Sequence, residues 1–370
     1  MRNYIALAIP VFFVMIAGEL VLARARKVRV YRVADAVTDL SCGIQQQTLL
    51  IFERAIQAAI FVWAYEHRVA TLPAWADWAL AWIGVDFLYY WWHRMSHEVN
   101  FLWAAHVVHH QSEDYNLAVA LRQSVLTSWT TLPFYLPLSF VGVSLPAFAT
   151  AASFSTLYQF WIHTELVGKI KGPADWILNL PAHHRVHHAI NPQYLDKNYG
   201  AILIVWDRLF GTYAEEIEPC VYGTTKPLAS LNPIWAQVHY WPEMAKMAWR
   251  AHGTDKLKVW FASPAWKPRG QEVPPPEAVV RATYQKYDPH PSRARSIYVL
   301  VQYAVLVAAT FSLIMWETAI PRTALVLGAA CVFGTVLSIG GILESKRWAI
   351  PAEVTRLAVG AAAVVAWLRA

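Results

Sequence analysis

Ten of the fourteen histidines fall between His93 and His188, and their spacing is what gives this sequence its chemistry. His93 and His97 stand four apart, with Glu98 directly after them. His106, His109 and His110 follow, and His184, His187 and His188 repeat the same HxxHH pattern with His183 just ahead. On a helix, positions i, i+3 and i+4 lie on one side, so each cluster is expected to point its imidazoles in one direction. Neutral imidazole suits iron, copper or zinc, so ligand type alone does not choose the metal. Eight nitrogen ligands in three converging groups suffice for two metal ions with positions left over for oxygen or substrate.

Competing readings are weighed residue by residue. A zinc peptidase needs the glutamate base of HExxH, and Arg94 occupies that place. A surface polyhistidine tract would not keep helical spacing across about a hundred residues. His163, in Trp-Ile-His-Thr-Glu, stands alone, and a lone histidine is ordinarily a hydrogen-bonded core residue. Its place at the same end as the clusters makes it a candidate for a catalytic, metal-binding or supporting role.

The elements that must hold these residues belong to a membrane protein. The chain has 370 residues, 56% of them hydrophobic and only 15% charged, against about 25% charged in a soluble domain. Nineteen tryptophans and seventeen tyrosines fit aromatic belts at a bilayer interface. No compact basic module accompanies the net charge of +6, so nucleic acid is not an expected partner. Cys42, Cys220 and Cys331 are too scattered for a disulfide framework or a CxxC site.

Taken in order, Tyr4 to Leu22 reads as a span, and the basic run Arg24, Arg26, Lys27, Arg29 and Arg32 leaves no small-residue cleavage site after it. Leu40 to Tyr65 reads as a second span whose Gln45, Gln46, Gln47, Glu53 and Arg54 should face a bundle interior or cavity. Trp75 to Trp92 delivers His93 to the membrane surface. Val125 to Leu145 and Pro146 to Val167 read as a helical hairpin kinked or broken by Pro133, Pro137 and Pro146. Eleven of the twenty-one prolines lie between Pro219 and Pro291, Pro274-Pro275-Pro276 among them, marking a loop-rich segment. Ile297 to Trp316, Thr323 to Leu343 and Val354 to Leu368 complete an all-α, multi-pass membrane fold of about eight spans. Expected units are N-terminal spans over 1–72, a catalytic domain over 73–215, a proline-rich cytoplasmic segment over 216–295 and a C-terminal bundle over 296–370. With the Arg24–Arg32 run in the cytoplasm, every histidine cluster and the Lys346-Arg347 loop face the same side.

HxxxH, HxxHH and HxxHH beside membrane spans resemble the fatty acid hydroxylase / sterol desaturase superfamily. Longer stretches narrow the likeness: His93-Arg-Met-Ser-His-Glu-Val-Asn100, Ser112-Glu-Asp-Tyr-Asn-Leu117 with Ala120-Leu-Arg-Gln-Ser124, Gln159-Phe-Trp-Ile-His-Thr-Glu165, His183-His-Arg-Val-His-His188, Asp196-Lys-Asn-Tyr-Gly200 and Trp206-Asp-Arg-Leu-Phe-Gly-Thr212. These look like the alkylglycerol monooxygenase family over nearly the whole chain. The resemblance implies two iron ions, tetrahydrobiopterin as electron donor, O2 and a membrane lipid. It also implies hydroxylation beside the ether oxygen of an alkylglycerol, releasing a fatty aldehyde and a glycerol derivative. The eight clustered histidines match the family's ligand positions and Glu98 its acidic residue, while His163 and His183 match positions near the site. The implied location is the inner membrane of a bacterium or the endoplasmic reticulum of a eukaryote.

The residues themselves leave other readings open. The same chemistry on a fatty acid, sterol or carotenoid, as hydroxylation or desaturation with another electron donor, needs the same clusters. A membrane protein that holds zinc or copper without turnover would need them too. Glu98 is read as bridging a metal or orienting a ligand imidazole from behind.

Overall fold

A computed structural model describes residues 4–271 and 277–369, and among them the regular structure is helical, with only two isolated bridges, Leu178–Leu203 and Ala189–Tyr222, outside it. Pro274, Pro275 and Pro276 lie outside the described residues. In chain order the α-helices are α1 (Tyr4–Ala25), α2 (Val33–Glu66), α3 (Ala74–Glu98), α4 (Asn100–His110), α5 (Thr127–Val141), α6 (Leu145–Trp161), α7 (Pro173–Ile177), α8 (Pro181–His187), α9 (Val205–Phe210), α10 (Pro233–Val238), α11 (Tyr240–Arg250), α12 (Asp255–Phe261), α13 (Arg293–Met315), α14 (Arg322–Leu343) and α15 (Ala349–Leu368).

Among the described residues, five helices are long and apolar enough to cross a membrane: Leu7–Ala25 of α1, and α2, α13, α14 and α15. The sequence reading expected about eight spans. The three that fall short do so for physical reasons. α3 carries Asp77, Asp86, Arg94 and Glu98 along its length. α5 and α6 have 15 and 17 residues, roughly 22 and 25 Å of rise against a hydrocarbon core of about 30 Å. Their hairpin is tight because Gly142 adopts φ +117°, and a Cβ there would meet the Ala70 carbonyl oxygen at 2.5 Å. Ser144 then caps α6 and is itself held by Asp77 at 2.7 Å.

Two helical groups form. Val37 of α2 packs with Val299 and Leu306 of α13 and Val336 and Ile339 of α14. Ala81 and Val85 of α3 pack with Tyr135 and Leu138 of α5 and Ala147 and Ala151 of α6. α1 closes against α6 through the stacked rings of Phe12 and Phe160, 4.2 Å apart. α15 lies outermost on α14, and much of its apolar surface stays open, with Val354 63% exposed, as a lipid-facing helix requires.

A polar head sits on the end where α3 terminates. Val99 alone, extended at φ −119°, separates α3 from α4 and folds the second histidine cluster back over the first. Asn100 locks that corner: its backbone N–H donates to Ala262 O at 2.9 Å, its side-chain amide to Val259 O at 2.6 Å, and it accepts from the Tyr240 hydroxyl at 2.6 Å. Met244 and Ala248 of α11 and Val259 of α12 then pack on Ala104 of α4. Asp86, buried inside α3, accepts from Ile202 N and Trp206 Nε1, both at 2.8 Å, and so docks the segment after α8 onto the same end.

Candidate metal centre

The imidazoles converge in two sets. His93, His97, His106, His110 and His187 form the first, and His109, His163, His184 and His188 the second; within each set the candidate ligand atoms lie within 4.8 Å of one another. This corrects the expectation that each HxxHH cluster points in one direction. Neighbouring residues diverge by about 100° on a helix, and the two motifs are divided accordingly. His106 and His110 of α4, four apart, face the first set while His109 faces the second. On α8 the division is reversed: His184 and His188 face the second set and His187 the first. Both helices thus run between the sets, and each contributes to both.

Every sequence-predicted ligand is present in one of these sets. His163, one residue past the C-cap of α6, joins the second, with Nε2 at 3.3 Å from His109 Nε2 and 3.0 Å from His184 Nε2. Glu98 joins neither. Its side chain is 41% exposed and accepts from Arg94 Nε at 2.9 Å, one turn earlier on α3. His183 points away, pairing Nε2 with Asp175 at 2.9 Å while Nδ1 accepts from Leu180 N.

Backbone carbonyls fix the tautomers. Nδ1–H of His93 donates to Tyr199 O at 2.8 Å and that of His187 to Lys197 O at 2.9 Å. In the second set, Nδ1–H of His109 donates to Arg122 O at 2.9 Å and that of His163 to Gln159 O at 2.7 Å. A neutral imidazole has one N–H, so each of these rings turns a bare Nε2 lone pair inward. His109 and His163 therefore approach at 3.3 Å with no proton between them. Buried Nε2 atoms of His97 and His187 have no hydrogen-bond partner among the described residues. Lone pairs facing lone pairs are repulsive unless a cation sits between them, and this donor set fits a metal in each.

Burial keeps the rings in the ligating, neutral form. It lowers His109 to about 4 and His187 to about 3, and it lowers His106, His110, His163, His184 and His188 too, with neighbouring imidazoles adding to the effect. The carbonyls that orient the first set come from a strained loop: Asp196 and Asn198 take left-handed backbone angles, and Asp207 holds Tyr199 N at 2.7 Å and Gly200 N at 2.8 Å. Sequence reasoning did not single out Arg122, Asp207 or Asn198 as supports, because Arg122 orients His109 with its backbone carbonyl while the Asp207 and Asn198 side chains bond to backbone groups.

A cavity of about 550 Å³ opens from the second set. His106, His109 and His163 stand at one end, and its wall follows α6 from Phe160 back to Leu145, about 22 Å of helix rise. Phe12, Leu50, Phe61, Leu132, Phe148 and Phe311 make most of its lining apolar. An apolar space that follows a helix for this length suits a long aliphatic molecule.

Helical membrane spans, two all-imidazole sets and this cavity define a lipid-modifying membrane oxidoreductase of the histidine-cluster type. A fatty acid hydroxylase family model matches residues 78–212. Alkylglycerol monooxygenase of Xenopus tropicalis is 36% identical over 361 residues, covering 96% of this chain and 80% of the relative. That of Homo sapiens is 38% identical over 363 residues, covering 96% and 81%. An ornithine lipid hydroxylase of Rhizobium tropici is 29% identical over 128 residues, 34% of this chain and 38% of that protein. No solved structure matches. The chain belongs to the alkylglycerol monooxygenase family.

Proposed function

We propose that this chain hydroxylates the carbon bearing the ether oxygen of alkylglycerols, with two iron ions held by the two histidine sets and a tetrahydrobiopterin-class donor. The observation that carries the reading is the second set, His109, His163, His184 and His188, at the head of an apolar cavity in a chain of this family. Bound metal supplies the oxygen activation that no side chain provides. The protein's part is positioning. Carbonyl-anchored imidazoles hold the ions without reorganisation, and the α6 wall aligns an alkyl chain so that one carbon lies against the second set.

The balance is that of a monooxygenase. One atom of O2 enters the C–H bond, and the other leaves as water with two electrons and two protons from the donor. The product is a hemiacetal, which collapses to a fatty aldehyde and free glycerol. Among the carboxylates, Glu98 acts through Arg94 rather than as a ligand, in keeping with their 2.9 Å contact.

The histidine end faces the cytoplasm in this reading. Arg24, Arg26, Lys27, Arg29 and Arg32 between α1 and α2, Arg293 and Arg295 at the start of α13, and Lys346 and Arg347 between α14 and α15 gather there, as the positive-inside rule requires. α3 and the short α5–α6 hairpin complete the membrane part, the hairpin entering from the same side. The membrane is the inner membrane in a bacterial cell or the endoplasmic reticulum in a eukaryotic one.

The test is turnover by purified protein in lipid nanodiscs, loaded with iron and given a 1-O-alkylglycerol and either tetrahydrobiopterin or a ferredoxin system. Fatty aldehyde formed with the pterin, at two irons per chain, is the expected result. A hydroxylated acyl lipid with intact ether, or activity with the ferredoxin system alone, would replace it with the chemistry of another lipid hydroxylase.

A further inference from the structure

Most of the cavity wall is apolar, yet five glutamines line it: Gln46, Gln47 and Gln57 of α2, Gln123, and Gln159 of α6. Gln57 is taken up by the Ser128 hydroxyl at 2.9 Å, and the other four gather at the histidine end. Gly43, one turn before Gln46 and Gln47, packs so near the turn at Val119–Leu121 that a Cβ there would meet the Leu121 carbonyl oxygen at 2.2 Å. That approach sets α2 beside the chain leading to Gln123. The Gln123 amide nitrogen is 3.5 Å from His109 Nδ1, and Gln159 lends its backbone carbonyl to His163.

These amides are short of partners. Gln46 and Gln47 share one long hydrogen bond of 3.4 Å. Gln123 and Gln159 donate to the Ala120 and Ser155 carbonyls at 3.1 and 3.2 Å. The Gln46 amide nitrogen and the side-chain oxygens of Gln47, Gln123 and Gln159 bond to no described residue. Polar groups that face an apolar space stay unsatisfied unless water or a ligand meets them. Among the described residues no free charge stands with them: Arg54, the cation on this wall, is 3.4 Å from Glu317. Unpaired donors and acceptors without net charge match alcohol hydroxyls, each of which gives one hydrogen bond and accepts others.

We propose that Gln46, Gln47, Gln123 and Gln159 form a subsite for the hydroxyl groups of a neutral polyol head, resting on the ether-lipid reading given above. With the head held there, the ether-bearing carbon lies beside His109 and His163, and the alkyl chain follows α6 toward Phe148 and Leu145. Gln46 and Gln47 touch no histidine, so they are positioning residues that can be altered without disturbing a ligand.

The experiment compares a 1-O-alkylglycerol with the alkyl propyl ether of equal chain length, which lacks both hydroxyls, on iron-loaded full-length protein in nanodiscs. Wild type should favour the diol. Gln46→Met and Gln47→Met should each lower kcat/KM for the diol about tenfold, leaving propyl ether turnover and metal content unchanged, while Gln47→Asn restores part of the preference. Equal losses on both ethers, or no loss on the diol, overturn the subsite. Should wild type cleave neither ether, the ether-lipid activity fails, and binding decides the subsite instead. Retention of radiolabelled diol over propyl ether, abolished in Gln47→Met, then supports it, and equal retention of both overturns it.

Discussion

Arg122 and Asp39 form an ion pair at 3.0 Å with side chains only 2% and 0% exposed. The same guanidinium donates to Val108 O at 2.7 Å and to Gln111 Oε1 at 2.6 Å, and the Arg122 carbonyl accepts Nδ1–H of His109. One residue thereby ties α2 to α4 and sets the angle of a ring in the second histidine set.

Removing the cation alone should be costly, because a carboxylate left buried without its partner destabilises by about 3–5 kcal/mol. Arg122→Gln is expected to lower the unfolding temperature in nanodiscs and to reduce metal bound at the second set. Arg122→Gln combined with Asp39→Asn should recover much of the stability, since Asp39 is then no longer a buried carboxylate without its partner. A single variant as stable as wild type would mean the pair contributes little.

Metal stoichiometry separates ligands from neighbours. His163→Ala should lose about one metal ion per chain, since its Nε2 lies among those of His109 and His184. His183→Ala should keep the wild-type content, because that ring is taken up by Asp175 and the Leu180 amide. Glu98→Gln should keep it as well, whatever happens to the rate, given a carboxylate turned to Arg94. Elemental analysis of the three purified variants reads all of this directly, and iron lost from Glu98→Gln would put that carboxylate among the ligands.

Acid should unfold the metal-free protein first at its histidines. The folded chain holds His109 near 4 and His187 near 3 by burial, while an unfolded imidazole titrates near 6.5. Between those values the unfolded chain binds more protons than the native one, so stability is complete above about pH 6.5 and falls as the pH drops toward 4. Thermal unfolding of apoprotein from pH 8 to pH 4.5 should show this decline, and iron loading should shift it to lower pH. A flat profile for the apoprotein would show that these rings are not buried neutral.

Much of this site was legible in the sequence because histidines that share a helix recur at positions i, i+3 and i+4. His93, His97, His106, His109, His110, His184, His187 and His188 all follow that spacing. Their division was not legible from motif spacing alone: whether His109 turns with His110 or against it depends on where the second helix lies, and that is a tertiary fact. His163 has no periodic partner, and its place in the second set emerges only when α6 brings it against α8. The carbonyls of Tyr199, Lys197 and Arg122 leave no trace in side-chain chemistry. Among the helices, continuous apolar runs made α1, α13, α14 and α15 plain. α5 and α6 are equally apolar, but α5 runs through Pro133 and Pro137 only to stop at Gly142 after 15 residues, and α6 has 17, both short of a bilayer's width.

The cavity makes a last prediction, on chain length. Ala149 lines it in the second turn of α6, far from His163 at the other end of that helix. If an alkyl chain runs along α6 from the histidines, a bulky residue at position 149 shortens the space without touching the reacting end. Ala149→Trp should then cut kcat/KM for long-chain alkylglycerols by about tenfold or more, the scale on which a pocket discriminates by one or two methylenes. Short-chain substrates should be cleaved as by wild type, with unchanged metal content. The loss should appear mainly in KM, because the chain's far end contributes binding rather than chemistry. Equal impairment of long and short chains would show that the substrate does not lie along α6, and the cavity would then need another occupant.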